Sequence, residues 1–371
     1  MKRLFYRIYA LLFNMSAALF PVKNKRAAFV SMHNENFKDS LGAVMEEFRG
    51  RGFECVEITR RDLDVAIRNV PRVFGFFFQK SRLLATSRYV FLNDNFLPMA
   101  MLNFKPDAIV TQLWHAEGAF KRFGLAIEQP GQLRQDEIAA NRKLSFVVCS
   151  SEAVVPVYAE AFGVEEERVL PLGAPRTDFL LKEENKEKAQ KSLEKAYPAL
   201  RGKKLVLYAP TFRGTKEENE TLLSHFDFEL FRRECGENYA LLVRLHPQVH
   251  EKSDIPQFVF DVTDYSDVRE LVLSCEALIT DYSSICMDFS LLSKKTVFFA
   301  YDKEKYAKER SFYFDYDTKL PGGIAQTTAE VIRLLREPFD AERNNRFKKL
   351  NFDFCDCENA KRVADGIIVR S

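Results

Sequence analysis

A chain of 371 residues with 46% hydrophobic and 29% charged side chains can bury the cores of two ordinary domains, which excludes a predominantly disordered or low-complexity protein. Its 55 Lys and Arg stand against 53 Asp and Glu, and a formal charge of +2 gives no argument for a nucleic-acid partner. The 7 cysteines are odd in number, scattered, and in part inside apolar runs such as Phe146-Val147-Val148-Cys149, the usage of reduced cytosolic thiols. Cys355 and Cys357 lack the two-residue spacer and the second pair of a zinc knuckle.

The first element runs from Leu4 to Phe20. It is apolar but carries Arg7 and Asn14, and it falls short of the ~20 residues that span a bilayer. Arg3, Arg7 and Asn14 share one helical face while Phe5, Leu12, Phe13 and Leu19 help line the others, so residues 1–22 read as an amphipathic helix lying on a membrane surface. Every charged residue before Glu35 is basic (Lys2, Arg3, Arg7, Lys23, Lys25 and Arg26), which suits an anionic lipid surface. The alternatives are a first helix docked on the protein's own core and a signal peptide; no convincing small-residue cleavage site precedes Pro21.

Beyond Pro21, short β-rich runs alternate with helical stretches, the pattern of doubly wound parallel sheets. Strands are predicted at 27–31, 53–58, 89–92, 108–111, 146–149 and 169–173, with helices at 41–49 and 151–162. The charged stretch between Lys182 and Lys204 predicts a boundary between domains at 23–195 and 196–371, with the last helices available to pack back on the first domain. A second set of strands follows at 205–208, 241–244, 258–260, 277–280 and 296–299. Two α/β halves suggest an intervening cleft, and ligands of open α/β sheets bind beyond the carboxyl ends of the strands.

Four strand ends carry chemistry. Trp114-His115 follows the fourth strand, where a histidine is placed to act as a general base and Lys121 and Arg122 can offer charge to a phosphate. Pro210-Thr211-Phe212-Arg213-Gly214 forms a turn presenting a hydroxyl and a guanidinium. In Arg244-Leu245-His246-Pro247, strand alternation sends Arg244 and His246 to one side, able to converge on an anion. His246 and His250 have helical zinc spacing, but no glutamate follows His246 and Pro247 opposes a helix. Finally, Asp281-Tyr282-Ser283-Ser284 joins an apolar strand to a helix whose first turn offers free N–H groups, a dipole and two hydroxyls to an anion. Each motif also has a plain structural reading: a histidine satisfied by backbone groups, a β-turn with a solvated arginine, an ordinary helix cap. No Walker loop or complete dinucleotide fingerprint is present, and Asp315-Tyr316-Asp317 reads as a loop or partial substrate contact.

These motifs in this order resemble the CDP-glycerol glycerophosphotransferase family, the primases and polymerases of wall teichoic acid, over about residues 25 to 335. Gly173-Ala174-Pro175-Arg176-Thr177-Asp178 looks like the family's Gly-x-Pro-Arg-x-Asp segment, and Asp302, Tyr306, Arg310 and Phe312 to Tyr316 match its C-terminal motif. The resemblance implies a GT-B-like α/β fold of two Rossmann-type domains, the first for the acceptor and the second for the CDP moiety. His115 and His246 match the family's functional histidines, and Ser283 and Ser284 its serine pair. Lys121, Arg176, Thr211, Arg213 and Arg244, with Asp281 and Asp288, are then expected to contact substrate. The implied reaction is attack of an acceptor hydroxyl on the β-phosphorus of CDP-glycerol with release of CMP. His115 would take the proton, and no cofactor or divalent metal is called for. The implied partners are CDP-glycerol, an undecaprenyl-diphosphate-linked saccharide and the cytoplasmic face of the cell membrane. His115-Ala116-Glu117-Gly118-Ala119-Phe120-Lys121 is one residue longer than the polymerases' common His-Gly-Thr-Pro-Leu-Lys and is similar to the primase version, with Glu117 at a usual small-residue position. The lack of a large N-terminal extension points the same way. CDP-ribitol as donor, a GT-B glycosyltransferase or sugar-nucleotide epimerase, and a peripheral membrane binding module are the competing readings.

Overall fold

The computed structural model describes residues 2–32, 37–59, 70–246, 249, 255–309 and 312–370. The chain divides into two compact units, Met1–Asp178 with Phe352–Ser371, and Phe179–Asn351.

The first unit holds strands β1 (Lys23–Ser31), β2 (Glu54–Thr59), β3 (Ser87–Leu92), β4 (Ile109–Gln112), β5 (Phe146–Cys149) and β6 (Val169–Pro171). They pair in parallel in the order β2-β1-β3-β4-β5-β6. The central strands are covered on both faces, which is why they read as apolar runs rather than alternating ones. Its helices are α1 (Lys2–Leu19), α2 (Ser40–Gly50), α3 (Val70–Ala85), α4 (Gly131–Asn141) and α5 (Val155–Phe162). Phe29 stacks on Phe91 at 5.1 Å and Phe48 of α2 meets both rings edge-on. Burying each such ring stabilises the unit by roughly 1.5–3 kcal/mol.

The amphipathic segment has two apolar faces, not one. Tyr9, Leu12, Phe13 and Ala17 are buried where α1 packs on α3, and Asn14 bonds the carbonyl of Met101 and the amide of Asn103. Leu4, Ile8, Leu11, Met15 and Leu19 form an opposite, exposed stripe. Asn14 therefore belongs to the docked side, and the core reading of this helix describes that face, while the other is an exposed apolar stripe. Arg26 leaves the expected basic field: β1 starts at Lys23, so Arg26 lies inside the strand, buried, with its guanidinium on Glu54 and Thr86. Among the described residues no helix is long and apolar enough to cross a membrane.

The second unit repeats the plan with β7 (Lys204–Ala209), β8 (Tyr239–Val243), β9 (Phe260–Asp261), β10 (Ala277–Thr280), β11 (Lys295–Phe299) and β12 (Gly323–Ala325). All pairs are parallel, in the order β12-β11-β10-β7-β8-β9. Its principal helices are α6 (Glu183–Ala196), α7 (Phe228–Cys235), α8 (Val268–Ser274), α9 (Ile285–Leu291), α10 (Thr328–Arg336) and α11 (Ala341–Asn351). The charged stretch expected as a linker is mostly α6: Ala189 and Leu193, four residues apart, give it a narrow apolar stripe that packs on α8. The division consequently falls at Asp178/Phe179, ahead of the expected position. The short β12, which begins at Gly323 directly after Gly322, had no apolar run to announce it.

The chain ends in α12 (Asn359–Val369), which returns to the first unit and buries Val363, Ala364 and Ile367 against α2. Asp178 caps it from a distance, its carboxylate accepting the amides of Asn359 at 3.0 Å and Ala360 at 2.8 Å. Gly173 has φ +96°, and a Cβ there would meet Asn359 Oδ1 at 1.9 Å, so this position admits only glycine.

Candidate active site

In the first unit β1 leads to β2 on one side while β3 lies on the other, so the sheet has its switch point between β1 and β3. Three loops leave the carboxyl ends there. Asp39, after β1, caps α2 with one carboxylate oxygen on the Leu41 amide (3.0 Å) and takes a hydrogen bond from Asn93 Nδ2 on the other (2.5 Å). The carbonyl of Asn93, just past β3, lies 3.2 Å from His115 Nδ1, just past β4. A carbonyl only accepts, so Nδ1 carries the proton and Nε2 is the ring's basic nitrogen.

The backbone that presents His115 is strained. Trp114 sits at φ 57°, a left-handed conformation that costs a bulky residue on the order of 1–3 kcal/mol and persists only when its surroundings over-determine it. They do: the indole stacks on Phe123 at 5.0 Å and meets Phe162 edge-on, while its amide bonds the Gln112 side chain. His115 rests 4.0 Å from the indole, centroid to centroid, with an exposed edge. Loss of surrounding water lowers its pKa below 6.5; the Asn93 carbonyl opposes this, Arg176 adds to it, and Asp39 opposes it. The imidazole is therefore neutral at neutral pH and able to accept a proton.

Arg176 does not point freely at a ligand: Nη1 is 2.5 Å from the buried carboxylate of Glu117. The unusual Glu117 thus has a partner within the same unit. Lys121 is half-buried on the same loop.

The second unit has its switch point between β7 and β10, and the second group of expected residues meets there. Asp281 Oδ1 accepts the amides of Thr211 (2.8 Å) and Tyr282 (2.6 Å), locking the two strand ends together. Arg213 is buried and turned inward. Nη2 reaches Asp281 (2.9 Å) and Asp302 (3.1 Å), Nε reaches Asp302 (2.6 Å), and Nη1 reaches the Thr211 carbonyl (2.5 Å). Tyr282, Tyr301 and Tyr306 surround it with centroids at 5.3–5.6 Å. Burial alone would lower its pKa, but Asp281 and Asp302 outweigh that and hold it above the ordinary value.

Arg244 and His246 part company. β8 ends at Val243, so strand alternation no longer applies at these positions. Arg244 bonds the carbonyls of Val262 and Tyr265 on the β9 side, whereas His246 packs on Phe212, 4.6 Å away, on the β7 side. Ser283 and Ser284 are half-buried at the start of α9, and the Thr211 hydroxyl is buried without a hydrogen-bond partner. Asp288 is buried on α9, while Asp315 caps the short helix Tyr316–Lys319 and Asp317 pairs with Lys303. Thus Thr211, Arg213, Asp281 and, through Phe212, His246 are joined, with the serines following directly. His250 and Arg310 lie outside the described residues, as do Pro247 and Gln248.

Asp39, Asn93 and the Glu117–Arg176 pair were not singled out as partners from sequence. Asp39 had a signal, an Asp placed before an apolar helical run as caps are. The bond to Asn93, at a separation of 54 residues, had none. Cys355 and Cys357 are exposed and free, and no group of three or more His, Cys, Asp or Glu among the described residues is arranged to hold a metal.

Two doubly wound Rossmann-type units in one chain, each with polar residues gathered at its switch point, define a GT-B-like fold. Residues 11–369 match the family described as CDP-glycerol:poly(glycerophosphate) glycerophosphotransferase, and the chain belongs to that family. It is 37% identical over 366 residues to a teichoic acid poly(ribitol-phosphate) polymerase of Bacillus spizizenii, covering 94% of this chain but only 57% of that protein's length. It is 29% identical over 376 residues to a teichoic acid ribitol-phosphate primase of the same organism, covering 99% of this chain and 97% of the relative. The solved structure of the wall teichoic acid polymerase TagF superposes with a TM-score of 0.77 at 22% identity, over 99% of this chain and 93% of the other.

Proposed function

We propose that the protein transfers glycerol phosphate from CDP-glycerol to a hydroxyl of a lipid-linked saccharide, releasing CMP, in the synthesis of teichoic acid or a related surface polymer. The observation that carries this reading is His115. It stands at a strand's carboxyl end with Nδ1 committed to a carbonyl, Nε2 as its basic nitrogen, and a pKa lowered so that it is neutral at working pH. The acceptor oxygen forms a bond to the β-phosphorus, the bond from that phosphorus to the bridging oxygen breaks, and CMP leaves with the electron pair. The acceptor proton passes to Nε2 of His115.

The second unit's strand ends suit the donor. The Thr211 hydroxyl, Ser283, Ser284 and His246 supply hydrogen bonds to the pyrophosphate, where negative charge accumulates as CMP departs. Arg213 acts behind them, fixing Thr211 and Asp281 rather than reaching the phosphates. In the first unit, Lys121 and the Glu117–Arg176 pair line the acceptor's side of the reaction. The exposed stripe of α1, flanked by Arg3, Arg7, Lys23 and Lys25, supports a peripheral position on the anionic cytoplasmic face of the membrane, alongside the lipid-linked acceptor of this reading. CDP-ribitol is the second reading for the donor, favoured by the 37% identity to a poly(ribitol-phosphate) polymerase.

The test is CMP release from CDP-glycerol, CDP-ribitol and a set of UDP-sugars in the presence of a synthetic linkage-unit lipid, for the wild type and His115→Ala. Turnover of a CDP-alditol that drops by roughly 100-fold or more in the variant supports the reading. UDP release from a nucleotide sugar, or a variant of near-normal activity, overturns it.

A further inference from the structure

We propose that Asp39 and Asn93 are positioning residues for His115, an acid–amide pair that fixes the base's tautomer and stabilises the imidazolium formed when it accepts the acceptor proton. This rests on His115 as the base and goes beyond it by assigning the groups that make it one. Three observations converge. The Asn93 carbonyl is the acceptor for His115 Nδ1 at 3.2 Å. That carbonyl is held in place because the Asn93 side chain, 1% exposed, is clamped to Asp39 at 2.5 Å. Asp39 is in turn fixed by its second oxygen on the first turn of α2, so its carboxylate cannot swing away. The bonds link the ends of β1, β3 and β4 across the switch point, and none of the three residues is near another in sequence.

The consequence is electrostatic as well as geometric. Among the described residues, Asp39 and Arg176 are the charged groups acting on the imidazole, with opposite signs, and Arg176 is itself bonded to Glu117. Asp39 favours the protonated ring and so increases its basicity, while a carbonyl on Nδ1 leaves Nε2 as the nitrogen that takes the proton. Removing the carboxylate charge must therefore make His115 a weaker base and move its titration to lower pH.

Asp39→Asn keeps a good helix cap and removes the charge. The expected result is a fall in kcat for CMP release on the order of 10-fold with little change in KM, and an acid limb of kcat/KM displaced to lower pH. Asn93→Ala leaves the α2 cap untouched and keeps the carbonyl, and it should displace the limb in the same direction; it carries the test if Asp39→Asn fails to fold. Nitrogen-15 NMR of the free, full-length protein gives a readout independent of turnover, with the His115 signals assigned by their absence in His115→Ala. The wild type should show the Nδ1-protonated tautomer, and both variants a lower His115 pKa. An Nε2-protonated ring, or folded variants with unchanged kcat and pH profile, overturns the proposal. If His115→Ala itself retains turnover, the reading of His115 as base fails instead, so the two failures are distinguishable.

Discussion

Two residues expected to do similar work in phosphate chemistry are treated oppositely by the fold. His115 keeps an exposed edge and its basic nitrogen, while Arg213 has all three guanidinium nitrogens engaged inside its own unit. Because burial lowers the His115 pKa below 6.5, the neutral, base-competent form is lost only as pH falls through that lowered value. The profile of kcat/KM should consequently be flat through neutrality and fall on the acid side below pH 6.5, a limb absent from the residual activity of His115→Ala. Arg213 calls for a different experiment. Its removal would strand Asp281, 2% exposed, as an unpaired buried carboxylate, a change that typically costs about 3–5 kcal/mol. Arg213→Ala should lower the midpoint of chemical denaturation before any effect on donor affinity is seen. A variant of wild-type stability with weakened CDP-alditol binding, measured by calorimetry, would instead return Arg213 to the role of direct phosphate contact. Sequence showed where both residues stand, at the ends of strands, but it could not show which way they face. That depends on Asp302, 89 residues from Arg213, and on the Asn93 carbonyl, 22 residues from His115.

At the level of elements, legibility followed the strength of the local pattern. Strands such as β5 and β10 are largely apolar runs and were readable nearly to their ends, whereas β3 opens with Ser87 and Arg88 and was readable only from Tyr89. β12 lacks such a run, and α6 hides a two-residue apolar stripe within a highly charged segment, so neither declared itself. α1 is the instructive case, because its sequence is apolar on two faces and only the packing separates them. Phe13 is 0% exposed whereas Leu4, Leu11 and Leu19 are 60–69% exposed. Deleting the helix would therefore open the core of the first unit and confuse two effects. Point substitutions separate them: on the proposed membrane placement, Leu4, Leu11 and Leu19 changed together to Ser should leave thermal stability nearly unchanged while weakening binding to anionic vesicles, since each loses apolar area that the fold leaves exposed. Phe13→Ala should do the reverse, costing about 3–5 kcal/mol of stability with the exposed stripe intact. Sedimentation with vesicles and thermal melts of both variants decide it. Equal vesicle binding by the triple Ser variant and the wild type would remove α1 from membrane recruitment.

For the molecule as a whole, family membership fixes the kind of phosphoryl donor more firmly than the alditol it carries. The matched family is named for glycerol phosphate, and its members similar to this chain include both ribitol-phosphate enzymes and glycerol-phosphate primases. Glycerol and ribitol differ by two CHOH units, and the physics of discrimination is asymmetric. A site that hydrogen-bonds the additional hydroxyls of ribitol would be left with unpaired polar groups by glycerol, a defect worth up to about 10⁴–10⁵ in kcat/KM. A site shaped for glycerol would exclude ribitol mainly by size, which penalises the longer donor at the point of entry. In either case the CDP portion is common to both donors, so discrimination must appear in the alditol-dependent step and not in the affinity for CDP. We predict that CDP itself competes equally against either donor, and that kcat/KM for CDP-glycerol exceeds that for CDP-ribitol by about 100-fold or more. Direct competition of the two donors, with incorporation followed by mass spectrometry of the lipid product, measures the ratio. A preference of that size for CDP-ribitol would assign the chain to ribitol phosphate transfer with His115 in the same role, and a ratio near one would mean that the alditol is not read by this chain at all.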